Sequence, residues 1–168
     1  TCALPICGIN EALFGEVDEK VKSLPLFGIS KKIYKGEIFP PESDDFVSDD
    51  NLFNYQAKII KEVAAEESCV IIGRCADFIL KDNPDVVRLF FYAPKEDCIA
   101  RVKTQNGGTE KEIIRKIEKT DKYRSDYYRY HTGKDWNDSR NYDFCLNTAS
   151  MSYEKLVAVV KAYIEQYK

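Results

Sequence analysis

The chain has 168 residues, enough for one domain with a real core, and 44% of them are hydrophobic. Its formal net charge of −3 argues against a protein that grips nucleic acid or an anionic membrane through a broad basic field. No apolar run approaches the length of a membrane span, so the expectation is a soluble, cytoplasmic protein.

The first residues, Thr1-Cys2-Ala3-Leu4-Pro5-Ile6, show no initiator methionine and lack the charged start and apolar run of a signal peptide. They translate ACG TGT GCT CTT CCG ATC, the end of a common sequencing adapter, and the T that follows there suits the Cys7 codon. Residues 1–7 are therefore expected to be a non-native leader. Residues 8–168 form one domain, truncated at its N-terminus. Genomic DNA reading continuously through these codons would contradict that expectation.

Asn10 can cap a short helix through about Val21. Residues 23–51 carry Pro25, Pro40 and Pro41 and the acids Glu42, Asp44, Asp45, Asp49 and Asp50, which reads as a solvated loop. Phe53, Gln56, Ile59, Ile60 and Val63 then follow helical spacing, with Asp50 or Asn51 as cap. Cys69-Val70-Ile71-Ile72 is a continuous apolar run closed by Gly73, the pattern of a buried parallel strand. Val86 to Ala93 is a second such run, and Pro94 opens a helix at its first position. Thr109 and Glu112 form a capping box for a long helix through about Tyr130. Tyr142 to Leu146 reads as a third strand. Tyr153, Leu156, Val157, Val160, Tyr163, Ile164 and Tyr167 line one face of a closing helix. Strand and helix alternate, so the predicted class is α/β with a parallel sheet and flanking helices. In such sheets ligands sit at the carboxyl ends of the strands, here just after Ile72, Ala93 and Leu146.

Gly73-Arg74-Cys75-Ala76-Asp77 lies at the first of these ends. Gly73 permits close approach, Arg74 offers a planar charged fork for phosphate, and Asp77 can orient that arginine or accept from a base amine. The bland alternative pairs Arg74 with a structural carboxylate and leaves Gly73 to a turn. On the long helix, Ile113, Ile117, Asp121, Arg124 and Tyr128 share one face, so a core-facing stripe turns polar as it enters a crevice; the bland alternative is a surface salt-bridged helix. Lys122 and Arg129 lie on an adjacent face. The segment Tyr127 to Trp136 mixes aromatics and bases, as a closing lid would. His131 reads as a polar loop residue, and Trp136 as a packing anchor. Six cysteines are present, but Cys2 and Cys7 fall in the leader. Cys69, Cys75, Cys98 and Cys145 form no C-x-x-C, and His131 is the only histidine. Reduced, buried thiols are expected, and no metal site. No G-x-x-x-x-G-K-[ST] or looser glycine-rich loop joins a strand to a helix anywhere in the chain.

Taken in order, several segments resemble the cytidylate kinase-like family, a branch of the P-loop nucleoside-monophosphate kinases. They are the Leu52-Phe53 and Gln56 helix, Cys69-Val70-Ile71-Ile72-Gly73-Arg74-Cys75-Ala76-Asp77, Lys119-Thr120-Asp121-Lys122-Tyr123-Arg124, Tyr127-Tyr128, Thr132-Gly133-Lys134, Trp136 and Asn141-Tyr142-Asp143. The resemblance implies a P-loop kinase-type sheet whose central first strand and phosphate loop lie upstream of this chain. It implies transfer of the ATP γ-phosphoryl group to CMP or dCMP with Mg²⁺. Arg74 would hold the acceptor phosphate, Arg124 the transferring charge or the acceptor, and Asp121 the sugar or an arginine. Lys122 and Arg129 would act from a lid over about residues 119–141. Gly73, Asp77 and Tyr128 would complete the acceptor site, and Asn147 and Thr148 would lie near the adenine. Two departures bear on base selectivity. Cys75 stands where the family proper has the aspartate of Gly-Arg-Asp, and Ile117 stands where an arginine precedes Asp-x-x-Arg by four. Two other readings stay open: a non-catalytic nucleotide-binding or interaction module, and a P-loop kinase for another small metabolite. Oligomeric state is not legible.

Overall fold

The computed structural model describes Gly36, Ile38 and residues 49–167. The expected leader, the Asn10–Val21 helix and nearly all of the 23–51 loop lie outside the described residues. Helix α1 spans Asp49–Glu66 and buries Phe53, Gln56, Ile59 and Ile60 of the stripe its spacing predicts, together with Leu52 and Ala57, while Val63 is half-buried. It starts before the expected cap, and Asn51 is fully buried inside its first turn. Each large apolar side chain buried this way contributes about 1.5–3 kcal/mol.

The run Cys69–Ile72 is not a strand, contrary to the expectation. Among the described residues nothing hydrogen-bonds alongside it, and a strand exists only as a member of a ladder. Val70 and Ile72 are consequently 91% and 88% exposed. Cys69 is exposed too, Cys75 is buried, and Cys98 and Cys145 lie between; all four thiols are free. A short helix α2, Ala76–Ile79, follows.

Two strands do form. β1, Leu89–Tyr92, pairs in parallel with β2, Phe144–Asn147, in the register Leu89 to Phe144 and Tyr92 to Asn147. Their amino ends are fastened by Arg88 and Asp143. The Arg88 backbone N–H and Nε donate to Asp143 Oδ2 at 2.8 and 3.0 Å, and Nη2 donates to Oδ1 at 2.6 Å. The Asp143 N–H returns a bond to the Arg88 carbonyl at 2.8 Å. These bonds hold the Asp143 carboxyl below the usual carboxylate range.

Helix α3, Lys95–Asn106, has Pro94 at its cap rather than inside its first turn. Gly107 and Gly108, both at positive φ, reverse the chain into α4, Glu110–Thr132. The capping box forms as its spacing predicts: Glu112 Oε2 accepts from the Thr109 N–H at 3.0 Å, and Thr109 Oγ1 accepts from the Glu112 N–H at 3.4 Å. Gly133, at φ 71°, ends α4 by donating its N–H to the Arg129 carbonyl at 2.9 Å. A 3-10 turn at Ser139–Asn141 leads into β2, and α5, Tyr153–Tyr167, closes the chain. Tyr163 stacks on Phe144 at 4.6 Å, which ties α5 to the sheet.

The structure divides into two compact units, residues up to Lys81 with Asp126–Asp135, and Asp82–Ser125 with Trp136–Lys168. In the first, α1 packs with α2 and the end of α4 around Phe53, Tyr127 and His131. In the second, the sheet carries α3, α5 and an aromatic group of Phe90, Trp136 and Tyr142.

Candidate functional site

Gly73, Arg74 and Cys75 are consecutive left-handed residues, at φ 70°, 57° and 55°. Glycine adopts that conformation at no steric cost, whereas each of the other two costs about 1–2 kcal/mol. Strain of this kind persists only where the surroundings enforce it, and it concentrates at functional turns. The turn closes with the Ala76 N–H donating to the Gly73 carbonyl at 3.1 Å. It leaves Arg74 exposed and Cys75 buried. Burial pushes the Cys75 thiol up, and the neighbouring Asp77 charge adds to that, so the thiol stays protonated and is a poor nucleophile.

Asp77 is a part-buried carboxylate of the first unit. The Tyr128 hydroxyl donates to its Oδ2 at 2.6 Å. Burial nevertheless raises its pKa above the ordinary value, while Tyr128, backbone N–H groups and the Lys134 charge oppose the rise. Tyr128 is 4% exposed, so its hydroxyl faces Asp77 rather than solvent. Arg129 is exposed and reaches Asp135 at 3.7 Å.

His131 is a helical residue of α4, not a loop residue as the sequence suggests, and it is 4% exposed. Its ring lies flat on Phe53 at 3.8 Å and 7°, and Tyr127 and Tyr130 meet it edge-on. Burial pushes its pKa down to about 4, with Asp50 pulling the other way. A neutral, stacked imidazole is a packing group, not a proton carrier at neutral pH.

In the second unit, the α4 stripe runs from buried Ile113 through half-buried Ile117 to exposed Asp121 and Arg124. The last two pair at 3.3 Å, and the Arg124 guanidinium lies 6.0 Å from the Trp136 ring. Lys122 is exposed beside them. Trp136 packs edge-on against Phe90 at 5.5 Å, the anchoring role its composition suggests. At the carboxyl end of the sheet, Thr148 donates its N–H to the Tyr92 carbonyl at 2.8 Å. The Asn147 side chain accepts from the Ala149 N–H at 2.9 Å, so it shapes the turn that follows β2.

The candidate residues thus fall into two sets. Gly73, Arg74, Asp77, Tyr128 and Arg129 belong to the first unit; Asp121, Lys122, Arg124, Asn147 and Thr148 belong to the second. Two further side chains are not singled out by the sequence. Arg101 donates to Thr148 Oγ1 at 3.4 Å, a contact across 47 positions that no local pattern signals. Lys134 places its Nζ 5.8 Å from the Phe78 ring centre, and its charge favours the ionised form of Asp77. Its signal was the Thr-Gly-Lys that caps α4. Among the described residues no group of three or more His, Cys, Asp or Glu side chains is arranged to hold a metal ion. No helix among them is long and apolar enough to cross a membrane.

A model of the cytidylate kinase-like family matches residues 3–150. The chain is 34% identical over 104 residues to a cytidylate kinase of Pyrococcus horikoshii, covering 62% of this chain and 53% of that protein. It is 30% identical over 109 residues to a protein named uronate isomerase from Corynebacterium glutamicum, covering 62% of this chain and 20% of that one. It therefore spans about half of the first relative and a fifth of the second. The crystal structure of an uncharacterized protein from Eubacterium ventriosum superimposes with a TM-score of 0.66 at 32% identity, over 70% of this chain and 74% of the other.

Proposed function

This chain belongs to the cytidylate kinase-like family, and from that premise we propose that the protein transfers the γ-phosphoryl group of ATP to a nucleoside monophosphate, with CMP or dCMP as the first acceptors to test. The observation that carries the reading is the strained Gly73-Arg74-Cys75 turn, which leaves Arg74 exposed three residues before the part-buried carboxylate of Asp77. That combination suits a ligand with phosphate at one end and a hydrogen-bond donor at the other.

In this reading Arg74 holds the acceptor phosphate and Asp77 accepts from an amino group of the base. Asp121 takes the sugar or steers Arg124, and Arg124 meets the charge that develops on the transferring group. Lys122 and Arg129 act from the lid region. Thr148 and Asn147, with Arg101 now beside them, lie toward the donor nucleotide. The loop that cradles the donor phosphates belongs outside the described residues. Mg²⁺ would accompany ATP and neutralise its phosphates. The described residues form no carboxylate cage that fits the ion, and none of the roles above runs through it. Phosphoryl transfer asks a protein mainly for positioning and charge stabilisation, which accords with a site built of arginines and a packed histidine.

The test is a coupled assay of the full-length protein with ATP against CMP, dCMP, UMP and AMP. Arg124→Ala should lower turnover at least about a hundredfold, the usual worth of a charge-stabilising group. An unchanged steady-state rate in that variant would remove Arg124 from the reaction. Nucleotide binding without turnover by the unaltered protein would favour a binding module.

A further inference from the structure

The acceptor site proposed above contains one carboxylate, Asp77, whose surroundings are more specific than a surface acid requires. We propose that Tyr128 is a positioning residue of that site, acting through Asp77 by fixing the direction of its carboxylate toward the amino-bearing edge of the acceptor base, with Lys134 adding a supporting charge from the turn that follows. The inference rests on the kinase reading for its substrate and on the geometry of the first unit for its residues.

Three observations carry it. The Tyr128 hydroxyl lies 2.6 Å from Asp77 Oδ2, the short distance of a bond to a charged acceptor, and Tyr128 is buried. A buried phenol with its hydroxyl spent on a carboxylate cannot itself reach a ligand, so its influence must pass through that carboxylate. Lys134 is delivered by a built turn: Thr132 Oγ1 donates to the Tyr128 carbonyl at 2.6 Å and accepts from the Lys134 N–H at 3.0 Å. Gly133 supplies the left-handed residue between them. That turn starts from Tyr128 itself, so the phenol that meets Asp77 and the lysine that follows come from one helix end. The Lys134 ammonium lies by the Phe78 ring, next in sequence to Asp77.

The groups that act on Asp77 are Tyr128 from α4, Lys134 from the turn after it, and backbone N–H groups of α2. Its charge is felt in turn by the Cys75 thiol, which Arg74 also influences. Burial works against the ionised carboxylate; the phenol and the ammonium work for it. Only the ionised form offers acceptors alone to an incoming amine. Removing either partner therefore both loosens Asp77 and raises the pH below which it fails.

The experiment compares the full-length protein with Tyr128→Phe, Lys134→Ala and Lys134→Arg. Carbon-detected NMR follows the Asp77 carboxyl through a pH titration, and CMP binding and CMP kinetics are measured on the same samples. Tyr128→Phe should move the Asp77 midpoint upward and weaken CMP about tenfold, in KM more than in kcat, as loss of one bond to a charged group does. The acid limb of kcat/KM should move to higher pH with it. Lys134→Ala should act in the same direction, and Lys134→Arg should restore most of the binding. A merely structural role would lower stability in Tyr128→Phe while leaving CMP affinity and the acid limb in place, and that result overturns the proposal. So does an Asp77 titration that neither substitution moves. CMP binding without phosphoryl transfer, with the midpoint and affinity shifting as stated, would defeat the kinase reading and support this one. Failure of the wild type to bind any nucleoside monophosphate overturns both.

Discussion

Arg74 is held in a left-handed conformation that a non-glycine residue resists, and its side chain is exposed. Replacing it with glycine removes the steric penalty and sacrifices no buried surface. Arg74→Gly should therefore raise stability by about 0.5–1 kcal/mol while weakening the acceptor. A urea melt and a CMP titration on one preparation check both halves, and a loss of stability would show that what the Arg74 side chain contributes outweighs the strain. His131 makes a second residue-scale case. Its folded pKa, about 4, lies below the ordinary 6.5, so the unfolded chain binds the proton more readily. The stability this contributes is fully present above about pH 6.5 and is lost as the pH falls toward 4, to a total of about 3 kcal/mol. His131→Phe keeps a ring against Phe53 and should flatten that part of the stability–pH curve. A slope that persists in the variant would assign it to other groups.

At the scale of elements, what could be read beforehand was whatever depends on neighbours in sequence. The capping box of α4 and the helical spans of α1 and α5 are fixed by spacings of three and four residues and form where expected, but on the expected face of α5 only Leu156 is buried, while Tyr153, Val157 and Tyr167 are exposed. The Cys69–Ile72 run failed because a strand needs a partner that its own residues cannot name. The α4 stripe was half legible: Asp121 and Arg124 are exposed and pair with each other, whereas Tyr128 on the same face is buried within the first unit. The Arg88–Asp143 fastening joins positions 55 apart, beyond any local pattern, although Asn141-Tyr142-Asp143 stood out as a motif. Its worth can be measured. Asp143→Asn removes the charge from a partly buried carboxylate that receives three bonds from Arg88. It should cost about 1.5–3 kcal/mol in a denaturant melt, and an unshifted midpoint would mean that the strands hold their register without it.

For the whole molecule, the exposed run matters more than its four residues suggest. Val70 and Ile72 present apolar side chains on a backbone that no ladder occupies among the described residues, which invites another chain to pair with it. The 168-residue chain should self-associate, and Val70→Lys with Ile72→Lys should suppress this in light scattering. Equal scattering from both chains would place the contact elsewhere. The parallel pair β1–β2 has the opposite character at its two ends. An ion pair clamps the amino end at Arg88 and Asp143, whereas turn bonds between Thr148 and the Tyr92 carbonyl, with a longer contact from Arg101, finish the carboxyl end. Thermal fraying should start at the second end and travel toward the first, like a zipper with one sewn stop. A ligand that settles beside Thr148 would then fasten the end that opens first, so that recognition and rigidity of the sheet would rise together.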